Sequence, residues 1–390
     1  MTFVAPLAAS AVADVLLDLF IVLLAAKLGD ELFKRIGQPA IVGEILAGVL
    51  VGPAVFGLVE LGETLEVFAE LGVVFLLFWV GLETRMSDLL QVGKVAGLVG
   101  VLGVILPFGG GIALGFGLGE ETGTALFLGA ALVATSVGIT SAVLLEMKAM
   151  DRMESRVILG AAIVDDILAL VLVGVATGIA ESGEFDPLTA LVVLAIAVAF
   201  VGFVGFGGTK LLEARPAMLE APKFSSSPLL PAVILCLGLA AFAAEIGLAA
   251  IIGAFLAGMM VAETKDESAI EAEVAPLYAL FPPFFFVVIG MQVDLEALAD
   301  LQTDLLLLVV TVVAIVTKFA GAWLGSRSLG SKSAAFVGVG MVPRGEVGII
   351  VASIGAATGA IDEELFAVIV GMSILTTLVV PPVLRRLADT

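Results

Sequence analysis

Two adjacent carboxylates, Asp165-Asp166, sit in the middle of a long apolar run, Ala161–Val171. An ionisable side chain at membrane depth costs several kcal/mol on most scales, so it marks a functional candidate by default. Neighbouring residues on a helix point ~100° apart, so one carboxylate can face a partner while the other faces water. Like charges this close resist joint ionisation, which lets the pair trade protons near neutral pH. Deprotonated, their oxygens are hard ligands suited to a small alkali cation. Such a site holds a cation or protons, not both. The plain structural alternative is a buried ion pair that only holds helices together.

Lys318 lies in a second apolar run, Ile315–Gly321. It is too far from either end to snorkel. A buried ammonium needs a carboxylate or loses its proton, and Asp165 or Asp166 is the natural partner. A third stretch, Gly340–Gly348, carries Pro343, Arg344, Gly345 and Glu346. Pro343 removes a helical hydrogen bond and Gly345 loosens the turn, so this segment reads as a broken helix with two charges beside the break. A break in the bilayer is tolerated only beside protein or a water cavity. Thr135 and Ser136 lie in a stretch, Ala134–Ser141, that supplies hydroxyls at matching depth. Those hydroxyls can equally bond back to their own helix. Glu44 and Glu83 read as structural or interfacial groups.

The elements that must carry these residues are membrane helices. The chain has 390 residues, 61% of them hydrophobic and 14% charged, with mean hydropathy +1.20. A soluble domain runs nearer 45–50% apolar and ~25% charged, so an ordinary soluble enzyme and a disordered chain are excluded. With 18 basic against 38 acidic residues, a net charge of -20 repels phosphate backbones and argues against nucleic acid. There is no histidine and one cysteine, Cys236, so imidazole catalysis and an internal disulfide are excluded. Thirteen runs are long and apolar enough to read as spans: 11–33, 40–58, 67–84, 93–117, 123–146, 156–180, 187–211, 228–246, 249–262, 276–293, 304–325, 333–358 and 364–384. With the N-terminus outside, every basic residue except Lys318 and Arg344 falls on the cytoplasmic side, as the positive-inside rule requires. The expected topology is N-out and C-in, with no cleavable signal peptide.

The chain also repeats itself. Val42–Gly48 resembles Ile252–Gly258 at an offset of 210, Val137–Ile139 matches Val347–Ile349 at the same offset, and Phe78–Gly81 resembles Val287–Gly290 at 209. This pairs spans 1–6 with spans 8–13, and span 7 joins them. An odd displacement of seven spans inverts the second copy. Inverted repeats with interrupted helices at corresponding places are typical of secondary transporters, with the substrate site between them at the midplane. No ATP-binding P-loop is present, so such transport draws on gradients. A channel can carry a repeat too, and a passive cation channel remains a reading of another class. An intramembrane enzyme would have aspartyl chemistry alone, and adjacent aspartates on one helix are poorly placed for a shared-proton dyad.

Taken together, Gly43–Pro53, Phe75–Thr84, Ala134–Thr140, Ala161–Asp166, Lys318 and Pro343–Val347 resemble the cation:proton antiporters of the second monovalent branch, the NapA-type sodium/proton antiporters in particular. The resemblance implies an all-α membrane protein of thirteen helices in two inverted six-helix repeats, with two broken, crossing helices. It implies a dimerisation scaffold from residues 1–92 and 228–302, a mobile ion-binding core from 93–180 and 303–386, and a linker helix at 187–211. Asp166 becomes the main carrier of sodium and protons. Asp165 pairs with Lys318 and releases it when the cation binds, with Thr135 and Ser136 beside the site. Pro343, Arg344 and Glu346 hold the crossing together. The implied activity is exchange of Na+ (or Li+) for H+ by alternating access in the cell membrane, by a homodimer in lipid, with no cofactor. Aspartate at 165, where electroneutral relatives carry asparagine, implies two protons per sodium. A potassium/proton antiporter is the nearest alternative.

Overall fold

A computed structural model describes residues 5–182, 187–208, 210–211, 229–263, 267–293 and 301–388. Each described element is helical. α1 (Ala5–Arg35), α2 (Ala40–Val51), α3 (Glu63–Leu82) and α4 (Met86–Leu118) open the chain. A broken pair follows, α5 (Thr122–Val133) and α6 (Val137–Glu146), then the long α7 (Met153–Ser182). α8 (Pro187–Gly202) runs into a π-helical turn, Phe203–Gly208. The second half holds α9 (Leu229–Glu245), α10 (Ala250–Ala262), α11 (Glu267–Leu280) and α12 (Pro282–Met291). It ends with α13 (Leu301–Ser326), the broken pair α14 (Ser331–Gly340) and α15 (Glu346–Ala357), and α16 (Glu363–Ala388).

A helix or helix pair lies at each of the thirteen apolar stretches. Among the described residues, eight helical stretches are long and apolar enough to cross a membrane. Two expected spans differ in form. The stretch 40–58 is helical only to Val51, because Gly52-Pro53 ends α2; proline disfavours the helical region for the residue before it. The stretch 276–293 is two helices meeting at Phe281, with Pro282 opening α12 as a first-turn proline.

Packing gathers the helices into two groups. α1, α2, α3, α9, α10, α11 and α12 pack mainly on one another. α4, α5, α7, α13, α14, α15 and α16 do likewise, with α6 lying between this group and α3. α8 touches α7, and its π turn touches α10. Within the first group, two crossings are built alike. A Cβ on Gly48 of α2 would strike the Val287 carbonyl of α12, and one on Gly290 of α12 would strike the Ile45 carbonyl of α2. Between α10 and α3, Gly258 stands in the same way against the Phe78 carbonyl and Gly81 against that of Phe255. These are backbone-to-backbone crossings that only small residues permit.

The core is mainly apolar, with a few buried polar and charged side chains around the helix breaks. Phe78, Leu76, Ile139 and Leu144 anchor one large cluster, and Phe127, Leu132 and Val368 anchor a second beneath the breaks. Large apolar side chains are exposed along one face of α1, where Val12, Leu16, Phe20, Leu24 and Leu28 recur every four residues.

Candidate functional site

The two chain breaks lie against each other. α5 stops at Val133, and Ala134 and Ser136 turn extended before α6 begins. α14 stops at Gly340, and Met341–Gly345 form the second break. The Ser136 N–H donates to the Pro343 carbonyl at 2.9 Å, so backbone meets backbone where the breaks cross. Thr140 Oγ1 donates to the Gly340 carbonyl at 2.7 Å, and Thr135 Oγ1 reaches the Met341 carbonyl at a long 3.4 Å. Gly345 is needed for this approach. A Cβ there would come within 2.6 Å of Ser136 Oγ and 2.9 Å of Ser136 Cβ.

Breaking a helix strands carbonyls, and in an apolar interior each must find a donor. Arg344 supplies donors at the second break. Its guanidinium donates to the Val342 carbonyl at 2.7 Å, the Met341 carbonyl at 3.2 Å and the Ala314 carbonyl of α13 at 3.4 Å. Its side chain is wholly buried. The Arg344 N–H donates to Thr376 Oγ1 at 3.0 Å, and Thr377 Oγ1 donates to the Arg344 carbonyl at 2.9 Å, both from α16. Glu346 opens α15, and its side chain lies outside the described part of the structure.

Lys318 supplies the donor at the first break. α13 packs so closely on α4 that a Cβ on Gly321 would strike the Leu102 carbonyl, and the Lys318 side chain passes beside Gly103. Its ammonium stands 2.6 Å from Asp165 Oδ1 and donates to the Val133 carbonyl, the last of α5, at 2.7 Å. Neither side chain of this ion pair is exposed to solvent. A buried pair is tolerated only when the remaining polar atoms are satisfied. Here Asp165 Oδ2 is buried with no hydrogen-bond partner among the described residues.

Asp166 points elsewhere. It is 8% exposed and lines a small cavity of about 20 Å³ with Leu77 of α3, Val137 of α6, Ile163 of α7 and Phe255 of α10. The volume is about that of one water-sized species. The cavity lies on the seam between the two helix groups. A much larger one, about 550 Å³, opens on the same seam and is lined by Asp30, Glu44, Glu83, Glu146, Lys27 and Lys34. Trp79 Nε1 donates to Glu83 Oε1 at 2.9 Å there, and Trp79 stacks on Tyr278.

The structure thus brings together Asp165, Lys318 and the first break, and separately Pro343, Arg344, Thr135 and Ser136 at the crossing. Asp166 sits beside both but faces the seam. Three contributions were not anticipated. Thr376 and Thr377 hold Arg344, Val133 offers its carbonyl to Lys318, and Glu146 bridges the two helix groups. A signal for Thr376 was present: at the sequence offset of 210 it matches the position of Asp166.

A helical membrane protein with crossed helix breaks and a buried lysine–aspartate pair at the crossing is a secondary transporter by its architecture. Comparison with known proteins narrows this. The model of the family described as "Sodium/hydrogen exchanger, transmembrane" matches residues 19–389. The Na(+)/H(+)-K(+) antiporter GerN of Bacillus cereus is 38% identical over 368 residues, covering 94% of each chain. The high-affinity Na(+)/H(+) antiporter NhaS3 of Synechocystis is 35% identical, covering 100% of this chain and 92% of that one. In structure, the sodium proton antiporter MjNhaP1 of Methanocaldococcus jannaschii superposes with TM-score 0.67 over 97% of this chain and 99% of its own, at 19% identity. The chain belongs to the sodium/hydrogen exchanger family of membrane transporters. It is a multi-pass membrane protein and not an enzyme.

Proposed function

We propose that the chain exchanges Na+ for H+ through competition at Asp165 and Asp166. The observation that carries this reading is the wholly buried Asp165–Lys318 pair, with an unmatched carboxylate oxygen, beside a second carboxylate that reaches a cavity on the seam. Facing one side, the pair releases protons and takes one cation. The cation draws Asp165 away from Lys318, whose ammonium keeps the Val133 carbonyl. The helix group bearing the breaks then shifts past the other, and the site opens to the opposite side. There the cation leaves and protons return. The empty, fully charged state is the one least able to cross, because desolvated charge is costly, and that prevents leak. Two protons against one sodium moves one net charge, coupled to the membrane potential at about 2.3 kcal/mol per 100 mV.

In this reading, residues 1–92 and 228–302 form the dimerisation scaffold and 93–180 with 303–386 the mobile core, a division supported by the way the described helices pack mainly in two groups. The matching glycine crossings support an inverted repeat. Gly48 and Gly258 stand 210 apart, as do the carbonyls they face to within one residue, so each repeat's second span packs on the other's third. The exposed apolar face of α1 suits lipid or a second copy of the chain. In this reading thirteen spans put the two termini on opposite sides, and the basic-residue asymmetry supports an N-terminus outside the cell membrane and a C-terminus in the cytoplasm.

A second reading has its own observation. The printed name of the GerN relative includes potassium, so K+ stands beside Na+ and Li+ as a candidate. Purified protein in liposomes with an internal pH dye tests both. Sodium added against a pH gradient is expected to drive saturable proton flux, with an apparent KM that rises as protons compete. A response to potassium alone changes the substrate. No proton movement with any cation removes the antiporter reading in favour of a channel.

A further inference from the structure

Glu146 ends α6, the ten-residue helix that starts at the first break. That helix is a rigid rod of about 15 Å from the ion site to the seam. At its far end, Glu146 Oε2 accepts a hydrogen bond of 3.0 Å from the N–H of Ala40, the first residue of α2 in the other helix group. A carboxylate at a helix N-terminus meets both an unused N–H and the positive end of the helix dipole. The other oxygen lies 3.9 Å from Arg385 of α16. Water can reach Glu146 from two sides, since it lines both the 550 Å³ seam cavity and a neighbouring one of about 360 Å³ with Lys148, Arg152 and Arg385.

We propose that Glu146 is a pH-dependent latch, a positioning residue whose ionised carboxylate holds the ion-binding group against the N-terminus of α2 and must let go in each cycle. The proposal rests on the alternating-access reading above. The cations facing Glu146 favour its charged, latched form: Lys27 and Lys34 of α1, Lys148 and Arg152 of the α6–α7 turn, and Arg385 of α16. Acidic groups across the cavity oppose that form: Asp30 of α1, Glu44 of α2 and Glu83 of α3, with the Tyr278 phenol of α11 in the same wall. As pH rises the carboxylate ionises, the latch closes and the shift slows. As pH falls it is protonated and the hold on α2 weakens.

Two variants test this in liposomes. Glu146→Gln keeps an oxygen for the Ala40 N–H but loses the charge and its titration. Its exchange rate relative to wild type is expected to stay near one at acid pH and to rise about two- to fivefold at alkaline pH, the range of one charge–dipole contact. An unchanged ratio across pH overturns the latch. In a Cys236→Ala background, Ala40→Cys with Glu146→Cys is expected to exchange freely until joined by a short bifunctional methanethiosulfonate. Exchange should then fall at least tenfold and return on reduction. Full exchange in the joined protein shows that the contact need not open, and overturns the latch while leaving the antiporter intact. Absence of exchange in unjoined wild type is a different result, and it removes the transport reading together with the latch.

Discussion

The two helix breaks stand 210 residues apart in the sequence yet are held in opposite ways. At the second break the chain is self-sufficient. Arg344 turns back on the Met341 and Val342 carbonyls, and Thr376 and Thr377 secure its backbone. At the first break there is no local cation, since Ala134 stands at the position equivalent to Arg344. The donor comes instead from Lys318 on another helix, and that same ammonium holds Asp165. One break is therefore closed by a permanent charge that, among the described residues, touches no carboxylate. The other is closed by a charge shared with a carboxylate. A shared charge can be competed for, so in the proposed cycle the first break is the working half and the second the structural one.

The largest test of that comparison exchanges equivalent positions. Asp166→Asn is expected to abolish sodium-dependent proton flux in liposomes. Thr376→Ala, at the matching place in the second repeat, should leave the flux measurable. Retained flux in Asp166→Asn would break the assignment of the working half. Lys318→Ala comes next. It leaves Asp165 buried without its cation and Val133 without a donor, and is expected to destabilise the protein by about 3–5 kcal/mol. A thermal melt in detergent at alkaline pH measures this.

Gly345→Ala sharpens the comparison at the crossing itself. The added methyl meets Ser136 Oγ and Cβ and Ile139 Cδ1 inside 3 Å, so the breaks must separate. A cost of about 1–3 kcal/mol is expected, with a lower exchange rate at unchanged apparent sodium KM. Thr376→Ala removes one interhelical hydrogen bond and should cost about 0.5–1 kcal/mol by the same melt. Thr135→Ala is the smallest, because its 3.4 Å contact is long, and a melting curve within about 0.5 kcal/mol of wild type is expected.

The composition and the basic-residue asymmetry made a polytopic membrane protein legible, because bilayer insertion is a property of local hydropathy and loop charge. The break at Pro343 was legible because proline lacks an N–H and Gly345 allows close approach. The break at Ala134–Ser136 was far less so, since no residue there forbids a helix; it appeared only through its repeat partner. In sequence Glu44 and Glu83 read only as structural or interfacial groups, and Glu146 carries no signal. They become one cavity wall only because α2, α3 and α6 converge on the seam.

By itself the sequence determined that Asp165, Asp166, Lys318 and Arg344 sit at membrane depth, since each is embedded in an apolar run too long to leave the bilayer. Only the tertiary structure decided their partners. Lys318 meets Asp165 and Val133 across 153 and 185 residues of chain, and Arg344 turns to the carbonyls of Met341, Val342 and Ala314. Burial is written locally, in the cost of a charge among apolar neighbours. Pairing depends on which helices pass within hydrogen-bond reach, and that is set by packing between distant segments.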